Sequence, residues 1–376
     1  MVITQNKICV FKRQKSLGTH DYLVAFFLIS FVITRIASLP TLLANFIPAL
    51  IGLFCLAYTL IRKECNIKVE ILSIACFLSL LEIVGISLNS NNSFYDLVWI
   101  WTYVGVASII KTYNINSKFV LFQFYCVVAY FILCMVRGVA ADQLLSIGSE
   151  NNISIYLLLF VCLYLYTVEK NDSLPYIPIF LTMVVTLWSA SRSGIMSTSI
   201  LLLLVFIYNC KQTKEKKNHT TILFAIILSC LVIQYLITLD VLMEPIQAKM
   251  NRYGVESLRT LIWRDYINAV VNSPFQFFFG VDLHDNANFW LSHYGNPHNS
   301  FFTLHANFGI TGVVFVFFVI VLNIIMACTQ KDFICLIILI TAVSRCFFDW
   351  AAFSGPFDVL FYAMALACFS NRRIHT

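Results

Sequence analysis

Arginine, histidine and aromatic side chains gather in three stretches of the second half of the chain. The first is Ser189-Ala190-Ser191-Arg192-Ser193-Gly194. Ser191 is placed to cap a following helix. The free N–H groups and positive dipole end of that helix then face the same side as Arg192, a ready anion site. The same residues also suit a tight polar turn between two apolar segments. The second stretch is ESLRTLIWRDYINAVVN, Glu256 to Asn272. Its Leu258, Leu261, Ile262, Ala269 and Val270 form an apolar helical stripe. Arg259, Trp263 and Tyr266 fall on another face at helical spacing, and Ser273-Pro274 ends the helix. An aromatic surface beside Arg259 suits stacking on sugars, and Trp263 taken alone suits anchoring at the headgroup layer. The third is Pro297-His298-Asn299-Ser300, followed by FFTLHANFGITG from Phe301 to Gly312. Histidine is the usual general base near neutral pH, so His298 is a candidate base or a hydrogen-bonded structural residue. His284, His293 and His305 take the structural reading. The spacings of the four match no standard ligand pattern, so no metal is expected.

The basic residues follow a second pattern. Arg35, Arg137, Arg192, Arg252, Arg259, Arg264 and Arg345 fall at one face of the chain's apolar segments, with Lys249 the only lysine there. Lysine dominates the loops of the opposite face. Arginine offers a planar fork that matches phosphate oxygens, whereas lysine serves as a point charge. An arginine-rich face points to a phosphate-bearing ligand; the alternative is contact with lipid headgroups or internal ion pairs. Arg345 and Asp349, one helical turn apart, are placed to neutralise each other.

The elements that carry these residues are membrane spans. Of 376 residues, 60% are hydrophobic and 12% charged, and the mean hydropathy is +0.82; a water-soluble domain needs more polar surface. Apolar runs of about 18 or more residues recur along the chain, too long and continuous for barrel strands. By the twenty-residue rule there are roughly twelve spans, near 22–39, 41–61, 69–88, 94–110, 118–136, 153–168, 174–190, 193–210, 221–239, 299–327, 333–351 and 356–370. The run 299–327 is long enough to include an unwound start. Lysine-bearing loops place both termini inside, so Asp240 to His298 forms one large outer loop. The organisation expected is spans 1–9 over 1–239, the outer loop over 240–298, and spans 10–12 over 299–376. The basic start (Lys7, Lys12, Arg13, Lys15) leads into a first span that reads as a retained anchor rather than a cleaved signal. The net charge of +6 resides in short loops, a topology signal and not a nucleic-acid footprint. The 13 cysteines are scattered, with no CxxC pair, which argues against a disulfide framework or zinc site. No internal repeat of the kind that builds many transporters is visible.

In this order the three stretches resemble the O-antigen polymerase (Wzy-type) and O-antigen ligase superfamily. The resemblance rests on the SxSR-like Ser189–Arg192 before a span and Arg-x-x-x-Trp at Arg259 to Trp263. It extends to Pro274 to Gly280, and to His298-Asn299 before a span with Gly309 and Gly312. It covers roughly the last half of the chain; the first half matches only in hydropathy. The Gly-x-Gly of the family stands here as Gly280-Val281-Asp282.

The resemblance implies a GT-C-like all-helical fold and transfer of glycan from undecaprenyl pyrophosphate at the outer (periplasmic) face of the inner membrane, with no nucleotide sugar, metal or cofactor. It assigns pyrophosphate contact to Arg192 and Arg259, and activation or positioning of the acceptor to His298. Arg252 and Arg264, placed only by location, join Ser191, Trp263, Tyr266 and Asn299 as substrate-binding candidates. Expected partners are the lipid-linked oligosaccharide, membrane lipid and a chain-length regulator. A polymerase hands the chain to the next lipid-linked repeat unit; a ligase hands it to lipid A–core. The stretches HNSFFTLHANFGITG and FFDWAAFSGPFDVLFY look more like polymerases. A flippase for lipid-linked oligosaccharide, the alternative from another class, predicts charges along a central path and pseudo-symmetric halves.

Overall fold

The computed structural model describes residues 17–37, 39–62, 69–88, 91–146, 148–168, 173–212, 258–284 and 295–367. The expected ninth span at 221–239, Lys249, Arg252 and His293 lie outside the described residues. Among the described residues the chain is all helical, with no strand. It runs α1 (Thr19–Ile36), α2 (Thr41–Ile61), α3 (Val69–Leu88), α4 (Phe94–Thr112), α5 (Ser117–Val136), α6 (Asn151–Thr167), α7 (Ile177–Trp188) and α8 (Arg192–Gln212). It continues with α9 (Leu258–Asn272), α10 (Pro274–Phe279), α11 (Ser300–Thr329), α12 (Phe333–Phe348) and α13 (Asp358–Ala367). Six of these (α1, α2, α3, α5, α8 and α11) are long and apolar enough to cross a membrane, and α6, α7 and α12 are shorter apolar helices. Eleven of the twelve expected spans therefore coincide with helices, and the architecture is that of a polytopic membrane protein.

Two helices form the inner layer. α4 is buried from Trp99 through Ile110 apart from the half-buried Trp101, and α6 is apolar and buried along most of its length. Such all-round burial is expected of a helix surrounded by other helices. α2 meets α4 at glycines: a Cβ on Gly105 would lie 2.4 Å from the Gly52 carbonyl oxygen, and one on Gly52 2.3 Å from Thr102 Cγ2. Small residues let backbones approach in this way inside membranes. Thr102 adds a hydroxyl bond to the Ala49 carbonyl at 3.2 Å. The α4 start is fixed by Ser93 and Asp96, whose carboxylate accepts both the Ser93 N–H (3.1 Å) and its hydroxyl (2.7 Å). On the lipid side, α1 and α2 leave an apolar groove of about 680 Å³, lined by residues such as Leu23, Phe26, Ile51 and Phe54.

The long α11 is broken. At Gly309 the backbone leaves helical geometry (φ 60°, ψ −166°). A straight helix of 30 residues would measure about 45 Å against a hydrocarbon core of about 30 Å. The break leaves 310–329, about 30 Å long and long enough to span, and holds 300–308 as a buried segment before it. Only glycine suits Gly309, because its φ is left-handed and a Cβ would lie 1.9 Å from the Phe278 carbonyl oxygen of α10. Gly280 has the same constraint from the other side: its φ is 98°, and a Cβ would lie 2.1 Å from the Ala306 carbonyl oxygen. The turn at Gly280-Val281-Asp282 thus has a packing role. The carbonyls left over near the break are met by the α3–α4 loop. Asn91 Nδ2 donates to Val281 (2.6 Å) and Ala306 (3.3 Å), and Asn92 Nδ2 donates to Asn307 (2.8 Å). These bonds satisfy buried backbone oxygens and lock α10 and α11 to the first half of the chain.

Candidate functional site

The functional side chains meet where α12 ends. A helix C-terminus leaves its last carbonyls without intrahelical partners, and here two of them are taken by side chains from the α11 N-cap and from α9. Asn299 Nδ2 donates to the Phe347 carbonyl (3.0 Å), and Arg259 Nη1 donates to that of Phe348 (2.5 Å). The next residue, Asp349, is buried and faces four groups at once. Arg345 Nη2 lies 3.4 Å and Arg259 Nη2 3.7 Å from Asp349 Oδ2. His298 Nδ1 lies 3.9 Å from Oδ1, and the Ser193 hydroxyl donates to Oδ2 at 3.4 Å.

Arg345 is completely buried. Its Nη2 also donates to the Asn151 carbonyl (3.1 Å) and the Ser154 hydroxyl (3.0 Å), and its Nη1 donates to Ser193. Ser154 in turn bonds Ser191 at 2.9 Å. Ser191 caps α8 by accepting the Gly194 N–H at 3.3 Å, as its position before the helix requires. One polar chain therefore runs from α6 through the α8 N-terminus to α12. Arg192, the first residue of α8, is exposed, and its charge reaches Arg259.

Two guanidinium groups face one carboxylate and a third, Arg192, is coupled to Arg259, so these residues together carry net positive charge. Burial pushes the Asp349 carboxyl up, but the neighbouring His298 imidazole and the charges of Arg345 and Arg259 outweigh it. They hold the carboxyl down at about 2. Burial lowers the Arg259 pKa, Asp349 pulls it back up and Arg192 lowers it again. Arg259 and His298 remain partly exposed, 24% and 31% at the side chain, so a ligand reaches them while Arg345 and Asp349 stay behind.

The loop that delivers His298 is held on both sides. Trp263 Nε1 donates to the Pro297 carbonyl at 2.7 Å, and the Asn296 side chain accepts the His298 N–H at 2.8 Å. Asn299 caps α11 by accepting the N–H groups of Phe301 (2.8 Å) and Phe302 (3.2 Å). His298 itself sits at φ 50°, a conformation uncommon for a residue with a Cβ and one that clusters at functional sites. With Nδ1 turned to Asp349, Nε2 has no protein partner among the described residues.

The structure thus brings together Arg192, Arg259, His298, Ser191 and Asn299. Trp263 braces the loop through its indole N–H and packs edge-on against Phe302. Tyr266 does not share the Arg259 face. It is 2% exposed on the buried stripe with Ile262 and Ala269, and stacks on Phe302 at 4.6 Å. Its hydroxyl donates to the Phe302 carbonyl (2.9 Å) and meets His305 Nδ1 (2.7 Å). A stripe of period 3–4 explains this placement, since Tyr266 follows Ile262 by four residues. Arg264 is exposed on α9, about 140° around the helix from Arg259, and makes no ion pair with the cluster among the described residues. His305 fits its structural reading, with both ring nitrogens engaged by Tyr266 and the Phe277 carbonyl. Among the described residues, no group of three His, Cys, Asp or Glu side chains converges as a metal site requires.

Asp349, which lies with Arg345 outside the three stretches, is the candidate residue at the centre of the cluster. Its i,i+4 relation to Arg345 was the available signal, but the meeting of α6, α8, α9, α12 and the His298 loop at one carboxylate is tertiary.

Residues 177–317 match the family model described as O-Antigen ligase, consistent with the O-antigen polymerase/ligase superfamily. The matched segment runs from α7 into α11, with Arg192, Arg259 and His298 inside it and Arg345 and Asp349 beyond it. The match supports a polymerase- or ligase-type role in O-antigen biosynthesis and a glycosyltransferase-like enzyme. No curated protein and no solved structure matches the chain.

Proposed function

Taking residues 177–317 as an O-antigen ligase family domain, we propose that the chain is the O-antigen polymerase of its pathway. It joins undecaprenyl-pyrophosphate-linked repeat units at the periplasmic face of the inner membrane, with both termini in the cytoplasm. The observation that carries the reading is the group of Arg259, Arg345 and His298 around Asp349, with Arg192 coupled to Arg259, at the ends of apolar helices. Oriented cationic donors at a leaving group stabilise charge that grows in the transition state.

In the proposed reaction a hydroxyl of the acceptor glycan attacks the anomeric carbon of the donor glycan. The new glycosidic C–O bond forms as the bond to the pyrophosphate oxygen breaks. Undecaprenyl pyrophosphate leaves with the electron pair, and its growing charge meets Arg192 and Arg259. His298 Nε2 accepts the hydroxyl proton. Asp349 holds the imidazole through Nδ1 and stabilises the imidazolium that forms, while Arg345 keeps Asp349 ionised and in place. The polyprenyl tail lies along an apolar surface between spans, of the kind that α1 and α2 offer.

A second reading, an O-antigen ligase with lipid A–core as acceptor, is favoured by the description of the matching family. Deletion of the gene in the native host separates the two when lipopolysaccharide and the undecaprenyl-linked pool are compared. Lipid A–core with a single repeat and no ladder supports the polymerase. Bare core with long polymer on the carrier lipid supports the ligase. Single repeats stranded at the cytoplasmic face contradict both and indicate a flippase.

A further inference from the structure

Away from the Asp349 site, α3 carries a carboxylate with no counter-charge among the described residues. Glu82 is wholly buried, and neither carboxyl oxygen has a hydrogen-bond partner among the described residues. Two further buried oxygens share that condition: Ser79 Oγ, one turn earlier on the same side of α3, and Asn92 Oδ1. Asn92 reaches this end of α3 closely, since a Cβ on Gly85, three residues after Glu82, would lie 1.9 Å from Asn92 Nδ2. The bond from Nδ2 to the Asn307 carbonyl (2.8 Å) fixes which end of the carboxamide is the donor, so the unpaired atom is an acceptor. The Ser93 N–H lies near Glu82 but is committed to Asp96 Oδ2 at 3.1 Å, and Asp96 adds a second negative charge nearby. No lysine, arginine or histidine among the described residues pairs with Glu82.

Of these four buried oxygens only the Ser79 hydroxyl carries a proton to donate, so they cannot all satisfy one another. A buried unpaired carboxylate is among the costliest groups a fold can hold. The set contains carboxylate, amide and hydroxyl oxygens only, which is the chemistry of a hard cation. A single carboxylate free of other bonds fits one positive charge. We propose that Glu82, Asn92 and Ser79 bind one small alkali cation of sodium size at the outer end of α3. Asn92 also holds the Asn307 carbonyl, and its neighbour Asn91 holds Val281 and Ala306. The cation therefore braces the loop that locks the broken start of α11. The site does not depend on glycosyl transfer and stands whether or not the chain is a polymerase.

The test is thermal unfolding of the full-length protein in neutral detergent, in sodium chloride against choline chloride at equal ionic strength. The wild-type melting temperature is expected to rise saturably with sodium and not with choline. Ser79→Ala, which removes one ligand and no charge, should need at least tenfold more sodium for half the effect. Glu82→Gln supplies its own donor and should melt alike in both salts. A wild-type protein indifferent to sodium overturns the proposal, as does an unchanged sodium requirement in Ser79→Ala or a retained response in Glu82→Gln. An infrared carboxylic-acid stretch that is insensitive to sodium and absent from Glu82→Gln also overturns it, because Glu82 is then neutralised by a proton.

Discussion

Arg345 Nη2 and Asp349 Oδ2 lie 3.4 Å apart across the last turn of α12, and the pair ties a fully buried guanidinium to the carboxylate that meets Arg259 and His298. Removing either partner leaves an uncompensated buried charge. Asp349→Asn should therefore destabilise the protein by about 3–5 kcal/mol and abolish transfer. An Arg345→Met, Asp349→Leu double variant should recover most of the stability and none of the activity. Chemical denaturation in detergent, together with a transfer assay, separates the two effects.

Arg259 uses its fork twice, on the Phe348 carbonyl and on Asp349, while staying partly exposed. A lysine supplies the charge without the fork. Arg259→Lys is expected to lose transfer by about 10²–10³-fold, the scale for one lost transition-state donor, with unchanged membrane insertion. Steady-state rates on lipid-linked substrate measure this. Near-wild-type turnover in the lysine variant would show that the fork is not used.

The pH dependence of transfer assigns the base. Asp349 has a folded pKa of about 2, below its ordinary value of 3.8. A depressed carboxylate contributes stability above its unfolded pKa and loses it only as pH falls through the folded value. Asp349 therefore stays ionised throughout pH 5–9, and its contribution weakens only below about pH 4. A histidine base gives an acidic limb in the pH 5 to 8 range. In His298→Gln the residual rate should lose that limb; a limb that survives the substitution excludes His298 as the base.

Gly280 and Gly309 face each other's neighbouring backbones with left-handed φ. Alanine at either position meets a carbonyl oxygen at about 2 Å. Each substitution should cost at least about 1–3 kcal/mol and weaken transfer by displacing α10 from α11. Limited proteolysis of the outer loop reports the displacement; an unchanged cleavage pattern with full activity would contradict the packing role.

Much of this was legible in the residues. Apolar runs located helices at eleven of the twelve expected spans, six of them long and apolar enough to cross a membrane, because length and composition dominate in lipid. The length of 299–327 suggested a partly unwound start, whereas the start is helical and the break falls at Gly309. Arg192, Arg259 and His298 stood out by type and position. Asp349 was read only as a partner for Arg345, because its other contacts come from segments 50 to 160 positions away in the chain. Tyr266 was placed beside Arg259, whereas the packing of Phe302 and His305 turns it inward. Asn91 and Asn92 lie between the expected spans at 69–88 and 94–110, and only the broken helix opposite reveals which carbonyls they serve.

The most direct test of the proposed site is transfer by purified protein in vesicles supplied with undecaprenyl-pyrophosphate-linked repeat units. Wild-type protein should release undecaprenyl pyrophosphate and lengthen the glycan in equal amounts. Arg192→Ala, Arg259→Ala and His298→Ala should each do neither while inserting normally. Full transfer by any of the three, or none by the wild type with both acceptors supplied, would contradict the account.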